Sequence, residues 1–428
     1  MTFPCATARI FRAAIVLMIA AVCFASSGCH RDDSSKDGKV HLILAVSLNV
    51  SDRPAYYSLV DRYETKFPNV DVELMEISGD IYQKLLVMIA AGNAPDVMWM
   101  GQSFQEFANR GVFLDLSDRV ARDIDLDNFT PKAVEWYRFE GRQYGIAQGL
   151  DTRFIVYNKD LFDKAGVAYP KNGWKFDEFL AAAQKLTIDA NGDGKPEQWG
   201  FQGDLDRALF RAEIISETGT GALCNSPEML DFLHTNLDMA EKYKVSPTGK
   251  QTVNEAFDNL VSTFRQGRVA MMTMATWNMA DMQERCANMR WDIVTNPTIR
   301  QPGHWASSQA FVVSATTAHP EESWQLCKMF LEKEYQKTKY PVVLPSNIEA
   351  QKELQQVTGG KPPDITAMMM ASQSLYRMPR IARLSELLKF WLDGIESVWT
   401  LRATPEEAMA KAERQINRTI ELQRENAP

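Results

Sequence analysis

An α/β architecture is what this sequence predicts, on three observations. Between Val40 and Gly101, short apolar runs alternate with longer stretches of helical spacing, in the order β-α-β-α-β. The first run, Val40–Ser47, is nearly continuous in its apolar character, as befits a parallel strand covered on both faces. The chain also has 428 residues, 45% hydrophobic and 10% aromatic, which is core enough for two domains or so. Parallel strands with right-handed crossovers leave a ligand crevice at their C-terminal ends.

The N-terminus reads as targeting rather than fold. Arg9 and Arg12 form a basic lead, and Ala13–Ala25 is an apolar run too short to span a bilayer comfortably, so residues 1–28 are predicted to be a signal peptide. Ser26-Ser27-Gly28-Cys29 resembles a bacterial lipobox, with Ser26 in place of the usual leucine. That resemblance implies lipidation of Cys29; cleavage without lipidation is the alternative. His30–Gly38 is too polar to bury and reads as part of a tether over 29–39. The net charge is −8, and removing Arg9 and Arg12 with the signal leaves 45 basic against 55 acidic residues, or −10. No basic excess is available for nucleic acid or an anionic membrane, so membrane contact would be through the lipid only.

From Lys39 the elements follow in order. Arg53–Phe67 has helical spacing and ends at Pro68, Val70–Ile77 alternates as a strand, Tyr82–Ala91 is a helix stopped by Gly92, and Asp96–Gly101 is a third strand. Around Tyr144–Val167 we predict a turn at Gly149-Leu150-Asp151, a strand Phe154–Tyr157 and a helix Lys159–Ala165, with Asn158 as N-cap and Gly166 as αL C-cap. Trp174 to Leu186 outlines an amphipathic helix with its entry. Further on come a helix ending at Gly267, a strand Val269–Met274, and Thr276 placed to cap a helix that begins with Trp277. Trp291–Asn296 and Gln309–Ser314 are strands, and Thr404–Ile420 is a helix with Pro405 and Glu407 in its first turn.

Two groups of chemically distinctive residues remain. Once the signal and Cys29 are set aside, Cys224, Cys286 and Cys327 are widely spaced with no C-x-x-C pair, which supports neither a zinc site nor a disulfide framework. They read as buried thiols, with a Cys224–Cys286 pair left open. Asp189, Asn191, Asp193, Lys195 and Glu197, with Gly194, match the start of a calcium loop, but Gly200 stands where the bidentate glutamate should be. The loop is either a structural calcium site closed from elsewhere or a surface turn held by its own side chains. No cofactor is otherwise required.

Several of these stretches carry a family resemblance. YGIAQGLDTRFIVYNKDLFDKAGV (144–167), KLLVMIAAGNAPDVMWM (84–100), the set Phe264, Gly267, Ala270, Met271 and Trp277, HPEESWQLCKMFL (319–331) and the helix from Thr404 all resemble segments of bacterial extracellular solute-binding proteins of the maltose-binding-like type. Ala147-Gln148 departs from the proline usual there. The resemblance implies a two-lobed periplasmic-binding-protein fold, with α/β lobes of 40–149 plus 306–342 and 150–305 plus 343–428, a multi-crossover hinge, and a third crossover at Tyr340–Pro345. It places Ser78, Asp80, Trp99, Gln102, Asp151, Trp277, Trp305 and Gln309 around the ligand, with Trp277 as a stacking platform. On residues alone Trp99 could equally be core, and Trp174 reads as packing.

The function so implied is capture of a sugar or sugar derivative by hinge closure and its delivery to an ABC permease, by a monomeric, membrane-anchored lipoprotein outside the cytoplasm. It would do no chemistry. The alternatives are a secreted carbohydrate-active hydrolase, which needs two close carboxylates, and a ligand-sensing subunit of a signalling receptor. The chain has no G-x-S-x-G, H-E-x-x-H or P-loop, and only five histidines.

Overall fold

Two sheets, each covered by helices on both faces, organise the chain. The computed structural model describes residues 38–48, 53–247, 257–303, 307–357, 365–373 and 384–425. Signal, Cys29 and most of the tether therefore lie outside the described residues, as does Trp305. The strands are β1 (Val40–Val46), β2 (Val70–Glu76), β3 (Val97–Met100), a hairpin of β4 (Arg138–Phe139) and β5 (Arg142–Gln143), β6 (Ala147–Asp151), β7 (Arg153–Asn158), β8 (Trp199–Gln202), β9 (Val269–Ala275), β10 (Trp291–Val294), β11 (Ser307–Val313) and β12 (Leu344–Pro345).

The first sheet has the order β12-β6-β11-β3-β1-β2, and β1 pairs in parallel with both β2 and β3 as the β-α-β-α-β pattern predicts. Alternation along its strands feeds two cores. Leu42, Leu44, Val46, Phe311 and Val313 face one, under the helix Arg53–Lys66, while Ala45, Met98, Met100, Ala310 and Val312 face the other. The second sheet runs β10-β7-β9-β8. Ile155 and Tyr157 point to one of its cores and Phe154 and Val156 to the other.

Local chemistry explains where elements stop. Asn158 Oδ1 accepts from the N–H groups of Asp160 (3.0 Å) and Leu161 (3.2 Å), and Gly166 closes that helix at φ 64°. At the final helix, Pro405–Glu425, Thr404 and Glu407 satisfy each other's backbone N–H at 3.2 Å. Trp174 is buried, donates its indole N–H to the Thr295 carbonyl and meets Phe179 edge-on, so it is packing.

Two expectations are corrected, the strand pairing bears on the lobe limits, and one open alternative is closed. Gly149-Leu150-Asp151 is no turn: these residues extend β6, where Leu150 and Gly149 pair with Leu344 and Pro345. A side chain at Gly149 would meet Val343, so glycine there permits close strand packing. The first lobe thus runs to Asp151, and the chain enters the second at Arg153. β12 stays in the first sheet, and Ile348–Val357 packs on Lys333–Lys339, itself packed on Arg53–Lys66. The Leu344 side chain nevertheless reaches the second lobe's core, and Tyr340 and Leu354 pack against that core, so this stretch touches both lobes. Thr276 does not cap a helix with its side chain; it opens a 3-10 turn, Thr276–Asn278, and its Oγ1 accepts from the Thr152 N–H at 3.2 Å. Finally, Cys224, Cys286 and Cys327 are free and buried. Cys224 and Cys286 belong to cores on opposite faces of the second sheet, which rules out their pairing. Burial pushes the Cys224 thiol up to about 12, with the Glu413 charge adding to it.

Candidate functional site

Each sheet opens a pocket near the point where the chain passes between lobes. Asp151 ends β6 and lines the first pocket; Arg153 begins β7 and lines the second. Two residues of extended chain separate these positions, roughly 6–7 Å, so the two pockets adjoin at the crossing. The link is pinned, since the Thr276 N–H donates to the Thr152 carbonyl at 3.0 Å. Gly303 is backed by the Ala208 backbone in the second lobe, and Ser307 pairs with Asp151 in the first.

The first pocket, about 330 Å³, is built from the C-terminal ends of β1, β2 and β3 and the start of β11. Trp99 is half-buried on β3 and lies nearly parallel to the Tyr82 ring (centroids 6.1 Å, 28°). Gly101 allows this arrangement, because a side chain there would press on the Tyr82 hydroxyl and the Trp99 ring. Burial raises the Tyr82 hydroxyl above its ordinary range, against hydrogen bonds from nearby backbone, and keeps it a neutral donor. Gln102 is exposed at the rim. Asp80 lines the pocket but also caps the helix Ile81–Ala90, with Oδ1 accepting from Tyr82 N (3.0 Å) and Gln83 N (3.2 Å). Asp151 is buried, and its carboxylate accepts from Ser307 Oγ (2.8 Å) and Gln309 Nε2 (3.0 Å).

The second pocket is larger, about 470 Å³, and lies between β8, β9 and the helix Pro227–Glu241. Trp277 and Trp399 supply its aromatic walls; Arg153, Asp204, Asn236, Glu241 and Asn278 supply polar groups. Asp204 Oδ2 stands 3.7 Å from Arg153 Nη1. Half of its side-chain surface is open to solvent, yet the enclosing walls raise its carboxyl pKa, Arg153 opposing them and Asp206 adding to them.

Of the residues expected around the ligand, Asp80, Trp99, Gln102 and Asp151 line the first pocket and Trp277 the second. Ser78 does not line either; it is exposed, and its carbonyl accepts from Lys84 Nζ. Gln309 orients Asp151 from behind. Tyr82, Asp204, Asn236, Glu241 and Trp399 were not foreseen. Asp204 had a signal: Gly203-Asp204 follows β8 just as Gly101-Gln102 follows β3.

The loop at 189–197 lies apart from both pockets. Asp189 accepts from Gly192 N and Gly194 N (2.9 Å each), Asn191 from Asp193 N, Asp193 from Lys195 N and Glu197 from Ala190 N. The oxygens turn back on the loop's own backbone, and among the described residues no group of three or more His, Cys, Asp or Glu could hold a metal ion. Asp189→Ala is expected to cost about 1 kcal/mol in urea unfolding, with or without chelator. A melting temperature that falls with chelator in the wild type but not in Asp193→Ala would assign the loop a structural cation instead.

Two lobes with adjoining pockets at a multi-strand crossing define a hinged, cleft-type binding protein. The chain belongs to the bacterial extracellular solute-binding protein family, whose model matches residues 49–337. It is a binding protein and not an enzyme, and the family places it outside the cytoplasm, periplasmic or at the cell surface. Among the described residues no helix is long and apolar enough to cross a membrane. The chain is 24% identical over 399 residues to a Brucella abortus (strain 2308) binding protein named for no particular ligand, covering 89% of this chain and 94% of that one. It is also 24% identical over 324 residues to a maltodextrin-binding protein of Bacillus subtilis (strain 168), 71% and 72% of the two chains. In fold it is similar to the ABC substrate-binding protein of Listeria monocytogenes in complex with cycloalternan, with a TM-score of 0.76 at 24% identity over 89% of this chain and 99% of that.

Proposed function

We propose that this protein captures a carbohydrate or sugar derivative between its lobes by hinge closure and hands it to an ABC permease, tethered outside the cytoplasm through a lipidated Cys29. One observation carries this reading: aromatic faces and hydrogen-bonding side chains line both pockets that adjoin at Asp151–Arg153. Aromatic rings cover the C–H face of a sugar, while carboxylates and amides take its hydroxyls. The names of the maltodextrin- and arabinooligosaccharide-binding relatives support the same class. The protein acts as a monomer in this scheme, and closure presents both lobes to the permease.

Calorimetry against maltotriose, arabinotriose and galactobiose, with X-ray scattering at saturation, tests the reading. Binding with a fall in radius of gyration is the expected result; absence of binding to these three and to every neutral, amino and acidic saccharide used below would overturn it. Tight binding without compaction would remove the hinge. The anchor has its own test. Cys29→Ser should move the protein from the membrane to the soluble fraction, and a mature wild-type protein that is soluble and starts elsewhere would refute lipidation.

A further inference from the structure

We propose that the cleft selects saccharides carrying a protonated amine and excludes those carrying a carboxylate or phosphate; this rests on the saccharide reading above. The described residues lining the two pockets include four carboxylates, Asp80, Asp151, Asp204 and Glu241, against one guanidinium, Arg153, and no lysine. That guanidinium is already turned toward Asp204 at 3.7 Å. The lining thus carries a formal charge of −3, in a protein that is itself net acidic.

An anionic ligand would need donors that compensate its charge, and the obvious ones are taken. The N-terminal N–H groups of the helix Ile81–Ala90 open beside the first pocket, but Asp80 caps Tyr82 N and Gln83 N. That carboxylate occupies the place an incoming phosphate or uronate would use. An ammonium meets the opposite situation. In the second pocket Glu241 and Asp204 share a cavity with Trp277 and Trp399, and an aromatic ring whose face meets a ligand attracts cations as well as sugar C–H groups. Arg153 stands 3.7 Å from Asp204, and among the described lining residues no cation faces Glu241, so the second pocket holds more carboxylate than guanidinium for an ammonium to meet. Closure removes water and strengthens each of these terms.

The test is calorimetry at low salt and mildly acidic pH with nine probes. They are glucose, glucosamine, N-acetylglucosamine, glucuronic acid, cellobiose, chitobiose with free amines, N,N′-diacetylchitobiose, cellobiouronic acid and maltotriose as a neutral reference. A free-amine probe should bind about tenfold or more tighter than its neutral and acetylated counterparts, as a charge-assisted contact implies, and the acids should not bind. Glu241→Gln and Asp204→Asn should each narrow the gap between amine and neutral probes. Acetylation keeps the skeleton and removes the charge, so it separates electrostatics from shape. A neutral or acidic probe that binds as tightly as its amine partner overturns the proposal, as does a gap that survives both substitutions. Binding of maltotriose or another neutral probe with none by a free-amine probe overturns the proposal alone. Binding by none of the nine, nor by arabinotriose or galactobiose, overturns the saccharide reading, and the proposal with it.

Discussion

Gly200→Ala is expected to lower the stability of the second lobe by about 3 kcal/mol or more, a large part of the 5–15 kcal/mol that holds an ordinary domain folded. Gly200 sits in β8, where the helix Phe176–Leu186 crosses the sheet. A Cβ there would fall on the Ala183 carbonyl oxygen, 2.6 Å from its carbon and 2.7 Å from its Cα. These are backbone atoms of a helix, so no rotamer change relieves the contact. The helix would have to lift away, and with it Phe179, Ala182, Ala183 and Leu186, all buried in one core. Gly221→Ala is the control, because its added methyl would meet only Asn417 Oδ1 at 3.8 Å; a change within about 0.5 kcal/mol is expected. Equal urea midpoints for the two variants would show that the helix can yield. The same crowding explains a feature of the sequence. A glutamate at position 200, which a complete calcium loop would place there, has no room.

Elements with strong periodicity and local caps were legible in the sequence. The helix Lys159–Ala165 matched to the residue, because Asn158 and Gly166 mark its two ends by their own chemistry. The parallel order of β1, β2 and β3 followed from apolar runs separated by helices. What failed was set by long-range pairing. Gly149-Leu150-Asp151 has turn composition, yet β11 and β12 pair on either side of it and hold it extended. Tyr340–Pro345 resembles a crossover, and it touches both lobes: Leu344 and Pro345 pair with β6, while the Tyr340 and Leu344 side chains pack on the second lobe's core. In the site, residues directly after strands were readable, and Gly203-Asp204 could have been found by the rule that found Gln102. Asn236, Glu241 and Trp399 could not. They arrive on helices whose apolar faces show only that they pack, and nothing local reveals that one edge borders a cavity.

Trp277→Ala is expected to weaken saccharide binding by one to two decades without unfolding the protein. The indole is half-buried on a 3-10 turn and faces the larger pocket, so truncation removes a ligand wall rather than core. Loss of such a face forfeits about 1.5–3 kcal/mol of burial, at about 1.4 kcal/mol per decade of dissociation constant. The anchor of the turn supports this separation of effects, since Thr276 is fully buried and bonded to Thr152 whatever side chain follows it. Trp399 provides the contrast. It lines the same cavity but packs edge-on against Phe232 (6.3 Å, 75°) and on the second lobe's core, so Trp399→Ala should lose stability as well as affinity. The measurements are calorimetric titration with the tightest saccharide found and a urea melt of each variant. Unchanged affinity in Trp277→Ala would remove it from the ligand site. A melt as damaged as that of Trp399→Ala would show that its ring supports the lobe, and the stacking platform would have to be Trp399 alone.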